Sequence, residues 1–367
     1  MTDNEYMARA IALAKRAAGF TSPNPLVGAV IVKDDRIIGE GYHHRYGDLH
    51  AERDALKNCS EDPKGATIYV TLEPCCHHGK QPPCTDAIIE AGISKVVCGS
   101  GDPNPLVAGK GLEILRDHGI EVVEGCMQEE CLGMNDIFFY YIQNQKPYVL
   151  MKYAMTLDGK IASHTGKSQW ISGEESRTYV HRERHLYSAI MVGVGTVLAD
   201  DPMLNCRIEG LTSPIRIVCD SGLGTPLSAK IVQTAKEYST IIATCVTDEG
   251  KLAPYRECGC EIITTPASSD GKVELNLLME ELGRRKIDSL LLEGGGELNW
   301  SMLKAGLVNK VQAFVSPMIM GGHTAKGPVG GTGFDCPDEA VRLANMKLTR
   351  IGEDFMIEGE VDGCLPE

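Results

Sequence analysis

The 367-residue sequence has no apolar run long enough to cross a bilayer, and its opening residues MTDNEYMARA lack the apolar core of an export signal. Positive charge is also short. Lys+Arg number 36 against 50 Asp+Glu, a net charge of −14, the reverse of the basic footprint that nucleic-acid binding uses. Internal repeats and low-complexity tracts are absent. What is present reads as ordinary globular protein: 43% hydrophobic and 23% charged residues exclude wholesale disorder. At roughly 150 residues per domain, the length predicts two domains. The 14 cysteines are too dilute for a disulfide scaffold and, without an export signal, point to a reducing cytoplasm. Most are then small buried hydrophobes, and a few are candidate ligands.

Alternating strand and helix signals predict an α/β layered architecture in both halves. Tyr6, Met7, Ala10, Ile11, Leu13, Ala14 and Ala17 form the apolar face of an opening helix. A hairpin follows from Gly28 to Tyr42, then a helix near His50 to Lys57 and a strand from Thr67 to Thr71. The first half continues with a helix after Cys84, a strand Lys95–Gly99, a helix Gly111–His118 and a strand Ile120–Val123. The polar stretch Gln143 to Pro147 reads as a linker, giving domains of 1–146 and 147–367. Beyond it, strands are expected at 148–152, 189–192, 216–219, 240–244, 261–264, 289–292 and 311–315. Ser172 with Glu175 three residues on is a capping-box signal for the helix between the first two.

The strongest chemical signal is His50-Ala51-Glu52 followed by Pro74-Cys75 and Cys84. A catalytic zinc takes three protein ligands and keeps one position open for water. His50, Cys75 and Cys84 supply an imidazole and two thiolates, each placed at or near a predicted helix start where exposed N–H groups favour thiolate. Glu52 is positioned to take a proton from water and return it to a leaving amine. This is the H-x-E and P-C pattern of zinc nucleobase deaminases, except that the cysteines are nine residues apart instead of three. A closed structural zinc site, with His77 or His78 as fourth ligand, is the alternative on spacing alone.

The longer loop fits a particular family. Asn24-Pro25-Leu26-Val27-Gly28, His50-Ala51-Glu52, Thr71-Leu72-Glu73-Pro74-Cys75, Pro82-Pro83-Cys84 and Asp102-Pro103-Asn104-Pro105 together resemble the deaminase half of the bifunctional riboflavin-biosynthesis deaminase-reductases. The resemblance implies a cytidine-deaminase-like α/β/α sandwich with zinc, and places Asn24, His43, His77 and Lys80 on the substrate side. The position directly after Pro74 favours Cys75 over Cys76 as the ligand.

Three clusters stand out in the second half: Met151 to Lys160, Val192 to Pro202 and Leu292 to Leu298. Glycines that end a strand and open a helix let backbone N–H groups approach a phosphate. Neither glycine cluster completes G-x-G-x-x-G, because Leu198 and Asn299 occupy the third glycine position. With Ser168-Gln169-Trp170-Ile171, these clusters resemble the reductase half of the same family. That resemblance implies a dihydrofolate-reductase-like fold using NADPH. It places Ala154, Trp170, Thr196, Asp200, Ser221, Gly295, Gly296, Glu297, Leu298, Asn299, Trp300 and Ser301 around the cofactor. Ser168, Arg184, Leu204, Arg207 and Glu293 fall around the substrate, the arginines suiting a ribose phosphate.

The implied enzyme deaminates 2,5-diamino-6-(5-phosphoribosylamino)pyrimidin-4-one and then reduces its ribose to a ribityl chain. A cytoplasmic homo-oligomer acting on small phosphoribosylaminopyrimidines, with no nucleic-acid or membrane partner, is expected. A polynucleotide deaminase is opposed by the acidic charge, and a non-enzymatic zinc-stabilised binder remains open. His181 and His185 have helical metal-pair spacing, but Arg182 and Arg184 beside them suggest a solvated or phosphate-facing helix.

Overall fold

The computed structural model describes residues 1–78, 81–104 and 107–362. The chain divides into two compact units, Met1–Asn144 and Gln145–Glu367.

Unit 1 begins with helix α1 (Asp3–Ala14), held at its start by a capping box in which Thr2 and Glu5 satisfy each other's backbone N–H. Strands β1 (Gly28–Lys33) and β2 (Arg36–Tyr42) form the expected hairpin. Its two-residue turn holds Asp34 and Asp35 at positive φ, which suits a tight antiparallel connection. Helix α2 (Ala51–Lys57), β3 (Thr67–Leu72), α3 (Cys84–Glu90), β4 (Lys95–Ser100), α4 (Lys110–Asp117) and β5 (Glu121–Val123) follow as the periodicity predicts. The sheet order is β2-β1-β3-β4-β5, with β1 antiparallel to both neighbours and β3, β4 and β5 parallel. One face packs Ala51, Ala55, Ile88, Leu112 and Leu115 against Ile31, Ile68 and Val70. The other packs Tyr6, Met7 and Ala10 against Val30, Val32 and Tyr69. The result is an α/β/α sandwich. Gly41 is required on β2: a Cβ there would lie 2.2 Å from the Ala55 nitrogen, so only glycine lets α2 sit this close to the sheet. Two short helices that periodicity did not reveal, α5 (Gln128–Gly133) and α6 (Asp136–Asn144), end the unit.

Unit 2 contains β6 (Tyr148–Thr156), α7 (Glu174–Leu186), β7 (Ala189–Gly193), α8 (Val194–Asp200), β8 (Ile215–Cys219) and α9 (Lys230–Gln233). It continues with β9 (Thr240–Thr244), α10 (Glu249–Glu257), β10 (Glu261–Thr264), α11 (Leu275–Arg284), β11 (Ser289–Leu292) and α12 (Gly296–Lys304). The last elements are β12 (Lys310–Ser316), β13 (Leu343–Ile351) and β14 (Asp354–Val361). The nine-stranded sheet runs β10-β9-β8-β7-β11-β6-β12-β14-β13, parallel through β12 and antiparallel thereafter. Leu278, Met279, Leu282 and Met302 of α11 and α12 cover one face over Val149, Met151, Leu290 and Leu292. Val180 of α7 packs with Phe314 and Met356 on the other. The capping box expected at Ser172 and Glu175 does not form. Gly173 is the N-cap without a side-chain bond, and its N–H donates to Asp354 Oδ2 at 2.8 Å instead. The β13–β14 hairpin also escaped the sequence reading, because β13 is exposed along nearly its whole length and shows no buried alternation.

Candidate active sites

In unit 1 the chain leaves β2 at Tyr42 and reaches His50, the N-cap residue of α2, whose ring makes no capping bond and is therefore free to turn outward. After β3 the chain passes through Pro74 and Cys75. Cys75 lies in a loop, not at a helix start as its sequence neighbourhood suggested. The start of α3 is nevertheless aimed at it. Cys84 N–H approaches Cys75 Sγ at 3.4 Å and Cys75 O at 3.0 Å, and Thr85 N–H donates to the same carbonyl. Cys75 Sγ and Cys84 Sγ each lie 3.4 Å from His50 Nδ1. These three ligand atoms fall within 4.8 Å of one another, and among the described residues no fourth His, Cys, Asp or Glu joins them. Hydrogen bonding from Cys84 and His50 pulls the Cys75 thiol toward thiolate. An imidazole and two converging sulfurs, one favouring thiolate, suit zinc and leave a coordination position open.

Glu52, in the first turn of α2, is 3% exposed. Burial, reinforced by the Cys75 sulfur, pushes its carboxyl up to about 7, a value suited to both accepting and returning a proton. His43 is buried, which pushes its imidazole down. Its Nδ1 must donate to the Leu49 carbonyl (2.9 Å), so its Nε2 accepts from the Asn24 amide at 3.0 Å. The ring of His43 meets that of His50 edge-on, centroids 5.6 Å apart. His77 keeps a buried Nδ1 with no hydrogen-bond partner among the described residues. Lys80 lies outside the described residues.

Glu73 belongs to the motif Thr71 to Cys75, but no role could be read for it from sequence. It is 4% exposed, and its carboxylate accepts the backbone N–H groups of Asp102, Gly109, Gly111 and Leu112. It thereby caps α4 from a distance and ties the Asp102 segment to the Cys75 loop. Asp102 is pushed up to about 6, chiefly by burial.

In unit 2 an open cleft of about 1500 Å³ lies at the carboxyl ends of β6, β7 and β11. It exceeds the ~300–1,000 Å³ of ordinary small-molecule sites and offers space for a dinucleotide with a second ligand. Ala154, Trp170, Thr196, Asp200, Gly295, Gly296, Glu297 and Leu298 line it, as do Ser168, Arg184, Leu204, Arg207 and Glu293. Four expected cofactor residues do not. Ser221 accepts the Val273 N–H, Asn299 donates to the Pro328 carbonyl, Trp300 packs on Phe334, and Ser301 donates to the Glu297 carbonyl. Residues 299–301 continue α12 past its first turn, so their side chains rotate into its packing. The turn before them fits a phosphate. Gly295 caps α12 without a side-chain bond, and a Cβ at Gly294 would lie 2.6 Å from Asn299 Oδ1.

Arg184 proves largely committed. Its Nε and Nη2 grip both oxygens of Glu293 at 3.0 Å, and Nη1 donates to the Asn205 carbonyl. Burial would raise the Glu293 carboxyl, but Arg184 and Lys152 outweigh it and hold it at about 2. Burial pushes the Lys152 ammonium down. Ser168 donates to Asp200 Oδ1 at 2.7 Å, joining an expected substrate contact to an expected cofactor contact. Arg216, read from sequence only as a strand residue, is fully buried; it donates to the Met203, Ile231 and Tyr238 carbonyls and to Thr234 and Thr240. That fixes the chain just before Leu204, itself held at a φ of 54°.

Three converging ligand atoms beside a buried acid in one unit, and a large glycine-lined cleft in the other, fit the class of a zinc-dependent deaminase joined to a nicotinamide-dependent reductase. Residues 1–100 match the cytidine and deoxycytidylate deaminase zinc-binding region, and residues 147–357 match the RibD C-terminal domain. The chain belongs to the RibD family of riboflavin biosynthesis proteins. It is 56% identical over 358 residues to riboflavin biosynthesis protein RibD of Actinobacillus pleuropneumoniae, covering 98% of this chain and 95% of that one. Its counterpart in Aquifex aeolicus is 43% identical, with 97% of each chain covered. RibD of Acinetobacter baumannii superposes with a TM-score of 0.88 at 35% identity over 98% of both chains. A Thermotoga maritima diaminohydroxyphosphoribosylaminopyrimidine deaminase/5-amino-6-(5-phosphoribosylamino)uracil reductase gives 0.86 at 38% identity, again over 98% of both. The protein is thus a bifunctional riboflavin-biosynthesis enzyme, a hydrolytic deaminase with zinc and a reductase with NADPH. Among the described residues, no helix is long and apolar enough to cross a membrane.

Proposed function

We propose that residues 1–146 deaminate 2,5-diamino-6-(5-phosphoribosylamino)pyrimidin-4-one with water, releasing ammonia and 5-amino-6-(5-phosphoribosylamino)uracil. Residues 147–367 then reduce the ribose of that product to the ribityl chain. His50, Cys75 and Cys84 hold the zinc, which supplies a Lewis-acidic centre for activating water. Glu52 takes the proton of the attacking water and passes it to the departing amine. Asn24 and His43 face the ring, their mutual hydrogen bond fixing the histidine tautomer. His77 and Lys80 complete the substrate side.

In the second half NADPH supplies the hydride to C1′ of the ribose. Ala154, Trp170, Thr196, Asp200 and Gly295 to Leu298 hold the cofactor, and Ser168, Arg184, Leu204, Arg207 and Glu293 hold the substrate. Lys152 and Asp200 are the groups proposed to move the proton that accompanies ring opening. Because Arg184 is engaged with Glu293, Arg207 carries the larger share of the phosphate. Arg207→Ala is therefore expected to raise the reductase KM about tenfold or more, with little change in kcat. The same substitution should leave the KM for a dephosphorylated substrate unmoved. Cytoplasmic location and homo-oligomeric assembly belong to the same reading.

The observation that carries the deaminase assignment is the buried Glu52 beside three converging ligand atoms, with no fourth among the described residues. Its test is metal removal from the purified full chain. Chelation is expected to abolish ammonia release, leave NADPH consumption on the deaminated substrate intact, and be reversed by added zinc. Far-UV circular dichroism should barely change, because both faces of the unit 1 sheet are packed by hydrophobic clusters independent of the ligands. Unfolding on chelation would favour a zinc-stabilised module instead.

A further inference from the structure

A diphosphate in the reductase cleft needs positive partners, yet the lining residues contributed by α8 and α12 carry none. They include instead the carboxylates of Asp200 and Glu297. Of the six lysines and arginines that line the cleft, three are engaged elsewhere and Lys152 is buried beside the Glu293 charge. Arg184 is bound to Glu293, and Lys230 approaches Asp201 at 3.5 Å. Arg177 lies 4.7 Å over the Trp170 ring and donates to the Ser172 carbonyl. Arg207, exposed, acts electrostatically on His181 together with Arg184, at the substrate corner. Lys326 also lines the cleft, is exposed, and forms no ion pair among the described residues.

Its place in the chain is specific. The Lys326 carbonyl accepts from Ile161 N–H at 2.9 Å, fixing it beside the end of the Met151–Lys160 cluster. The next residues clamp onto the first turn of α12. Gly330 N–H donates to the Gly296 carbonyl at 2.9 Å, Gly331 N–H to Glu297 Oε1 at 3.2 Å, and the Asn299 amide to the Pro328 carbonyl at 2.8 Å. A Cβ on Gly296 would stand 3.0 Å from the Gly327 carbonyl, and one on Gly331 would strike the Trp300 ring, so the clamp admits no side chain at either point. Asn299 is fully buried and its amide N–H is spent on Pro328; its Oδ1, which has no donor among the described residues, is an acceptor and offers nothing to a phosphate, which leaves the cationic role here to a side chain outside α12. Lys326 therefore stands one residue from the backbone that touches Gly296, where the free N–H groups of a nine-residue helix begin.

We propose that Lys326 is the cation that binds the diphosphate of the nicotinamide cofactor at the start of α12. The assignment rests on the reductase reading of unit 2. The test is direct binding of NADPH and of NADH to the full chain, followed by fluorescence of the reduced nicotinamide, for wild type, Lys326→Gln and Lys326→Arg. Lys326→Gln should weaken both nucleotides by a similar factor, about tenfold, as expected for losing one charged hydrogen bond to phosphate. Lys326→Arg should bind nearly as wild type, and thermal unfolding should be the same for all three. Equal affinities for wild type and Lys326→Gln would overturn the proposal. So would a loss confined to NADPH, which would place the lysine on the additional phosphate that NADH lacks. A wild-type protein that binds neither nucleotide would sink the reductase reading itself, and this assignment with it.

Discussion

Glu52→Gln is expected to lower ammonia release by about a thousandfold or more, since proton transfer at both ends of the reaction passes through one carboxylate. The substitution keeps the shape of the side chain and removes only its ability to exchange protons. Glu52 is 3% exposed in the first turn of α2, and its neighbours are the ligand atoms of His50, Cys75 and Cys84. A neutral amide there removes a desolvated acid, so stability should hold or rise slightly. Zinc content should be retained, because Glu52 is not one of the three converging ligands. NADPH oxidation on the pre-deaminated substrate should continue at the wild-type rate, because the reductase cleft is built wholly from residues of unit 2. The measurement is paired: ammonia from the diaminopyrimidine substrate, and absorbance at the nicotinamide band with the uracil substrate. Loss of both activities in a folded, zinc-loaded variant would contradict separate sites.

The features legible in the sequence were those set by short-range periodicity or by motif spacing. Strands such as Thr240–Thr244 and Ser289–Leu292 are short runs buried along their whole length, and alternation with helices placed them correctly. The three metal-ligand candidates were found because their identities and order survive without any knowledge of the fold. What escaped depends on partners distant in sequence. Ser172 and Glu175 have the spacing of a capping box, but Asp354, 181 residues away from Gly173, takes the relevant N–H. Glu175 instead lies against Gly352, where a Cβ would come 2.8 Å from its Oε2. Glu73 caps a helix that begins 37 positions later than itself, at Lys110. The resemblance places Arg184 around the substrate, where a cation suits a ribose phosphate, but sequence gives no sign that Glu293, 109 residues on, fills two of its donors. The family resemblance places Asn299, Trp300 and Ser301 around the cofactor, whereas in α12 Asn299 bonds the Pro328 carbonyl, Trp300 packs on Phe334 and Ser301 bonds the Glu297 carbonyl, outside the residues that line the cleft.

The Arg184–Glu293 pair carries the second large expectation. Both side chains are 14% exposed, and their two parallel hydrogen bonds are the bidentate geometry that makes arginine–carboxylate pairs strong. Glu293→Gln leaves Arg184 without its carboxylate and Lys152 without the charge that offsets its burial. Breaking a buried pair in this one-sided way costs about 3–5 kcal/mol. For a unit of this size that is a fall of roughly 10 °C in its melting temperature. Reductase kcat/KM should fall at least tenfold, because Arg184 and Glu293 both line the cleft and hold each other in place. The double variant Glu293→Gln with Arg184→Met should recover part of the stability, since it removes the stranded cation as well, but no reductase activity.

Acidity provides an independent check. Glu293 is held at about 2 in the folded protein, below the ~4.3 of an unfolded glutamate, so its contribution is complete above ~4.3 and is lost as pH falls through about 2. The stability gap between wild type and Glu293→Gln should therefore be widest near neutral pH and should close on acidification over that interval. A gap that stayed constant down to pH ~2 would mean that the glutamine variant fails through packing, and that the ion pair does not stabilise the fold.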